Sequence, residues 1–142
     1  MRLGLVLSFV FCMLFTSAVA ANDGVLNGTW TLIRGEAEGK VLSDSEITGG
    51  KLVIDGSNYT VTLPSIGTMT GVQTVDLTAN PKTIDITNTT GANEGKTCLG
   101  LFQLHGNEYQ CVFAAPGQPR PTSFKTEAGS GHWMHVWKHN QP

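Results

Sequence analysis

The sequence predicts an all-β fold, a small antiparallel up-and-down β-barrel of about eight strands with one short helical turn. Apolar and polar residues alternate at period two through most of residues 21–142, which is the pattern of strands with one buried face. Glycine, asparagine and proline separate these segments at short intervals, as turns require. Helical periodicity is nearly absent, so a helical fold is disfavoured.

The first twenty residues predict an export signal. Met1-Arg2 gives a positive start, residues 3–15 are apolar, and Ala18-Val19-Ala20 forms a small-residue cleavage site. A membrane-spanning helix needs about 20 apolar residues, more than this run supplies, so we expect residues 1–20 to be removed as a signal peptide. The mature protein is then expected in the periplasm or outside the cell, with no membrane span.

Residues 21–142 form the predicted mature chain, whose length fits one domain with one modest core. Removal of Arg2 leaves eight basic and eleven acidic residues, a formal net charge of −3, with no basic cluster. This balance argues against nucleic acid or an anionic membrane as a partner.

The alternation predicts strands over residues 28–34, 51–55, 58–63, 71–77, 82–87, 97–104, 108–114 and 133–138. Their inward-facing side chains are expected to be Trp30, Leu32, Leu52, Ile54, Tyr59, Val61, Leu77, Ile84, Ile86, Phe102, Tyr109 and Phe113. Asp55-Gly56-Ser57-Asn58 predicts a tight hairpin and Asn80-Pro81 a turn. Ser43 and Glu46 have the spacing of a capping box, which predicts a helical turn over residues 44–48.

Residues 97–104 and 108–114 are expected to form a hairpin through His105-Gly106, because glycine tolerates the positive φ of such a turn. This register places Phe102 opposite Tyr109 and puts Cys98 and Cys111 on a diagonal. Diagonal neighbours lie at roughly 7–8 Å, beyond the usual Cα spacing of a disulfide. Two buried free thiols are therefore favoured over a disulfide, which the expected export would allow.

Several stretches resemble a planctomycete family of lipocalin-like domains that has no established activity. They are LNGTW (26–30), GKLVIDG (50–56), PKTID (81–85), GKT (95–97), CVFAAPG (111–117) and RPTSF (120–124). The resemblance implies a lipocalin-like barrel over residues 21–142. Gly28-Thr29-Trp30 is also similar to the Gly-x-Trp of lipocalins, which implies that Trp30 plugs one end of the barrel under a basic side chain, here Lys138.

The histidines suggest a metal site, since His132, His135 and His139 lie near one another in the sequence. On a strand His135 and His139 point to one face and His132 to the other, so exposed histidines are the favoured alternative. No nucleophile has a base and an orienting partner at an informative spacing. We therefore expect no enzyme, no metal and no cofactor.

Binding is the function that the sequence favours. Trp30, Tyr59, Phe102, Tyr109 and Phe113 are the candidate ligand-binding residues, and a small hydrophobic molecule is the candidate ligand. A barrel of this size could equally be filled by its own side chains.

The alternative function is a protein-binding or inhibitor module of the cell envelope. Its contact would be the proline-rich loop 116–121, in which Arg120 offers a bidentate donor.

Overall fold

The computed structural model describes residues 24–141, so the predicted signal peptide lies outside the described residues. The strands are β1 (Gly28–Ala37), β2 (Lys40–Val41), β3 (Lys51–Asp55), β4 (Asn58–Leu63), β5 (Gly67–Asp76), β6 (Lys82–Asn88), β7 (Thr97–His105), β8 (Glu108–Phe113) and β9 (Trp133–His139), and the helix is α1 (Asp44–Ile47). Within this part of the chain, no helix has both the length and the hydropathy to cross a membrane.

The strands form a closed antiparallel barrel. Neighbours in the sheet follow the order β1, β3, β4, β5, β6, β7, β8, β9, and β9 pairs with β1 to close the cylinder. The short strand β2 is an addition that pairs with the end of β1. Closure leaves no long unpaired edge between the eight barrel strands. The predicted all-β barrel of about eight strands is therefore confirmed.

The predicted helical turn is also present. Ser43 and Glu46 form the capping box, in which a Glu46 carboxylate oxygen accepts a 2.7 Å hydrogen bond from the Ser43 backbone N–H. The one element that the alternation did not predict is β2, which has only two residues and so carries no period.

The predicted inward faces are confirmed. Nine of the twelve expected side chains are buried in the main hydrophobic cluster, and Val61, Leu77 and Ile86 pack against it partly buried. The alternation succeeds because each strand has one face toward the barrel interior and one toward solvent.

The predicted register of the β7–β8 hairpin is wrong by two residues. His105 pairs with Glu108, so the two-residue loop is Gly106-Asn107, and Leu104 rather than Phe102 lies opposite Tyr109. Gly106 takes the first central position of the loop with a φ of +58°. A shift of two residues leaves every side chain on its predicted face, because strand side chains repeat at period two.

The corrected register separates the two cysteines further. Cys111 pairs with Phe102, four residues along β7 from Cys98. Both thiols are free and buried, as favoured from the sequence.

The long β8–β9 connection, residues 114–132, covers the outer face of the barrel beside β7, β8 and β9. Its Phe124 packs on a second small cluster made of Leu101, Val112 and Met134. Its Thr126 donates a 2.7 Å hydrogen bond to the Glu36 carboxylate. The connection is thus held against the barrel at several points.

Gly100, on the inner face of β7, offers a test of the packing. A Cβ there would lie 2.6 Å from the Val112 carbonyl oxygen and 2.5 Å from a ring carbon of Phe113. We expect Gly100→Ala to lower the free energy of unfolding by about 1–3 kcal/mol, because backbone cannot rotate away. Gly35→Ala is the matched control, since its Cβ would meet only side-chain atoms, the nearest being the flexible end of Leu42 at 2.5 Å and the next residue Ile47 at 3.4 Å. Equal losses in urea unfolding would contradict this account.

Candidate functional site

Trp30 closes one end of the barrel. Its side chain is 4% exposed, and its indole N–H donates a 2.9 Å hydrogen bond to the Leu26 carbonyl oxygen. Its ring lies edge-on to Tyr109 at 5.5 Å between centroids. The chain before β1 therefore folds under the barrel and is tied to the tryptophan that plugs it. We call the end of the barrel that Trp30 fills the closed end.

The expectation that Lys138 covers Trp30 is wrong. Lys138 lies opposite Thr31 and is exposed, whereas His139 lies opposite Trp30 with its ring edge-on at 4.7 Å. The imidazole also passes over Gly28, where a Cβ would come within 2.3 Å of its Nε2. Gly28 is thus required by the close approach of this ring.

A cavity of about 430 Å³ occupies the barrel between the closed end and the opposite rim. We call that rim the mouth; it is bordered by Leu42, Glu46, Ser65, Ile66, Ala92 and Asn93, most of them exposed. The mouth is formed by α1, the β4–β5 turn and the β6–β7 loop. The volume lies within the range of about 300–1,000 Å³ that is typical of small-molecule pockets. The barrel is therefore hollow near the mouth and packed at the closed end.

Aliphatic and aromatic side chains form most of the cavity wall. The aliphatic part includes Leu32, Leu52, Val61, Leu63 and Ile86, and the aromatic part Tyr59, Tyr109, Phe113, Trp133 and Trp137. Phe113 and Trp133 stack near the mouth at 5.6 Å between centroids.

The structure divides the five candidate ligand-binding residues into two groups. Tyr59, Tyr109 and Phe113 line the cavity. Trp30 and Phe102 are buried in the core at the closed end instead, where Phe102 lies edge-on to Tyr109 at 6.1 Å. Contact of any of the five with a ligand stays a prediction.

Tyr59 has its hydroxyl engaged within the protein. The side chain crosses Gly71, where a Cβ would clash with the hydroxyl, and it donates a hydrogen bond to Asn88 Oδ1. Asn88 in turn donates a 2.7 Å hydrogen bond to the Ala92 carbonyl oxygen at the mouth. Burial raises the pKa of Tyr59 to about 12, so the hydroxyl keeps its proton. The network fixes the β6–β7 loop beside the mouth.

The two thiols on the wall keep their protons at neutral pH. Burial raises the pKa of Cys111 to about 12, although hydrogen bonds from Tyr109 and Trp137 oppose the rise. Burial also raises the pKa of Cys98. The nucleophilic form of cysteine is the thiolate, which neither residue supplies.

His135 faces the cavity from β9, beside Cys111 and edge-on to Trp137 at 5.5 Å. Burial among these groups lowers the pKa of its imidazole to about 4. The ring is therefore neutral at physiological pH, and it adds a polar surface without charge.

Gln73 is a buried polar side chain whose hydrogen-bond donor is unpaired. It lies on the inner face of β5, lines the cavity and is only 4% exposed. Among the described residues its Nε2 is the buried side-chain nitrogen or oxygen without a hydrogen-bond partner. Leaving such a donor unpaired costs about 1–3 kcal/mol. Extending the alternation of Val75 and Leu77 backward along β5 would have placed Gln73 inward, which was the available signal.

The three candidate metal-binding histidines lie in different surroundings. His135 lines the cavity, His139 packs on Trp30, and His132 lies in the connection before β9. Within residues 24–141, no group of three or more histidine, cysteine or acidic side chains is placed to hold a metal ion.

Arg120, the candidate partner-binding residue, is engaged with the barrel. Its guanidinium contacts Asp85 at 2.6 Å and donates a 2.8 Å hydrogen bond to the Gly100 carbonyl oxygen, while 30% of the side chain is exposed. A protein partner would compete with these contacts, and the role of Arg120 in binding stays a prediction.

Neither the family models nor the curated proteins include a match to this chain, and the resemblance to planctomycete lipocalin-like domains stays a prediction.

Proposed function

We propose that the mature protein is an exported, non-catalytic binding protein that holds a small apolar molecule inside the barrel. The observation that carries the proposal is the cavity of about 430 Å³, which opens at the mouth and is walled mostly by apolar side chains. Removing apolar ligand surface from water contributes about 25 cal/mol per Å², which favours occupancy of such a space.

The shape of the barrel supports this function. Trp30 and the buried side chains around it fill the closed end, and the cavity opens at the mouth. Aromatic walls offer large contact areas at small entropic cost, because each ring has few rotatable bonds. The raised pKa values of Cys98 and Cys111 and the neutral His135 favour binding over nucleophilic or acid–base chemistry.

The proposal is tested by native mass spectrometry of protein purified from its own cells, followed by titration with the uncharged dye N-phenyl-1-naphthylamine. We expect saturable binding with a Kd below about 100 μM. Val61→Phe places a larger side chain inside the cavity and should weaken dye binding about tenfold or more.

Val53→Phe is the matched control, because the same substitution on neighbouring strand β3 points to solvent. It should leave dye affinity unchanged. If no ligand co-purifies and the dye does not bind, or if both variants weaken binding equally, the cavity is not the binding site.

A further inference from the structure

We infer that the cavity takes an uncharged apolar molecule bearing one hydrogen-bond acceptor, such as a ketone or ester carbonyl, and that Gln73 recognises this acceptor. The inference rests on the proposed function, since it names the ligand class of the same cavity.

The position of Gln73 supports a role in recognition. Polar side chains are rarely enclosed without a partner, and here the amide sits in the wall of an open cavity rather than in solid core. The Nε2 atom of Gln73 is buried, while other atoms of the residue line the cavity. Rotation about the terminal bond of a glutamine side chain is soft, so the N–H groups can turn to meet an acceptor in the cavity.

Two other donors on the wall are already engaged. Tyr59 donates to Asn88, and the Cys111 thiol contacts the His135 carbonyl oxygen at 3.8 Å. Gln73 Nε2 is the buried side-chain nitrogen that still lacks a partner among the described residues, and an acceptor on a ligand can supply one. The rest of the ligand would contact the aliphatic and aromatic wall.

The charges around the cavity disfavour an anion. No lysine or arginine is found among the described residues that line it, and the two charged residues on its border are Glu36 and Glu46. Hydrogen bonds from Thr126 lower the pKa of Glu36, and hydrogen bonds from Ser43 lower that of Glu46, so both are ionised at neutral pH. A carboxylate ligand would lose its water without gaining a cationic partner.

A cationic ligand is disfavoured for a different reason. An ammonium group carries only hydrogen-bond donors, so it could not pair with the unpaired donor Gln73 Nε2. An uncharged acceptor pairs with this donor and avoids the desolvation cost of an anion.

The test uses three compounds of one shape, namely butylbenzene, the ketone butyrophenone and the anion phenylbutyrate. Each displaces N-phenyl-1-naphthylamine from the purified protein at neutral pH, after bound material has been removed on a hydrophobic resin. The quantity measured is the ratio of ketone affinity to hydrocarbon affinity. Gln73→Met keeps the side-chain length without the donor, and Gln73→Leu repeats the comparison should the first variant fail to fold.

We expect this ratio to be about threefold to tenfold larger in the wild type than in Gln73→Met, as one net hydrogen bond predicts. Phenylbutyrate should bind at least about tenfold more weakly than the ketone. Equal ratios in both proteins, or tight binding of phenylbutyrate, would overturn the inference while leaving the proposed function intact. Failure of the dye and all three compounds to bind the wild type would overturn both.

Discussion

Replacing Trp30 with alanine is expected to lower the free energy of unfolding by about 3–5 kcal/mol. The side chain is buried at the closed end, packs edge-on against Tyr109 and His139, and donates a hydrogen bond to Leu26. Its removal leaves a cavity at the closed end, and it leaves the Leu26 carbonyl oxygen without its indole donor. Urea unfolding followed by circular dichroism measures the loss.

Trp133→Ala is the matched control for this prediction. Trp133 is only partly buried and already borders the cavity near the mouth, so its truncation enlarges an existing space. We expect a clearly smaller loss there. A Trp30→Ala midpoint that barely moves, or that moves no more than that of Trp133→Ala, would show that Trp30 does not plug the barrel.

Lowering the pH should destabilise the fold through His135. Its pKa is about 4 in the folded protein and near its ordinary value of about 6.5 when unfolded. Because the unfolded state binds the proton more readily, the stabilising contribution is complete above about pH 6.5 and declines as the pH falls toward 4. The full decline is about 3 kcal/mol.

The variant His135→Leu isolates this effect, since the carboxylates titrate in both proteins and largely cancel. The difference in unfolding free energy between wild type and variant should change by about 3 kcal/mol between pH 6.5 and 4, with the wild type losing more. A difference that stays flat over this interval would show that the imidazole is not held in its neutral form.

Period-two alternation was enough to predict the barrel and its inward faces. Residues such as Ile84 and Ile86 face inward in the structure because β6 has one solvent face, and no knowledge of partner strands was needed. The same rule also identifies β9, although its inward His135 was not assigned to the interior.

Partner-dependent features were harder to predict. A glycine in a two-residue hairpin loop can take either central position, so Gly106 alone did not fix the register of β7 and β8. The residue that covers Trp30 depends on the register of β9 against β1, which shifts at an irregularity between Leu32 and Arg34. Neither strand encodes that register by itself.

The cavity could not be predicted from the sequence, and the reason is geometric. Alternation tells which side chains point inward but not whether those from opposite walls meet across the barrel. At the closed end Trp30 and Phe102 fill the space, whereas Tyr59 and Phe113 near the mouth leave it open. The unpaired donor of Gln73 points to ligand recognition only because the residue lines this open space. In a packed core the same side chain would be expected to pair with a neighbouring protein group.

The most direct test of a hollow, apolar binding barrel is a crystal structure determined under xenon pressure. Xenon enters apolar cavities that water leaves empty, and it requires no knowledge of the natural ligand. We expect xenon density inside the barrel, between the wall formed by Tyr59 and Val61 and the wall formed by Phe113 and Trp137. The absence of xenon, with the mouth residue Ile66 and the nearby Trp133 closed over a packed interior, would contradict a hollow barrel.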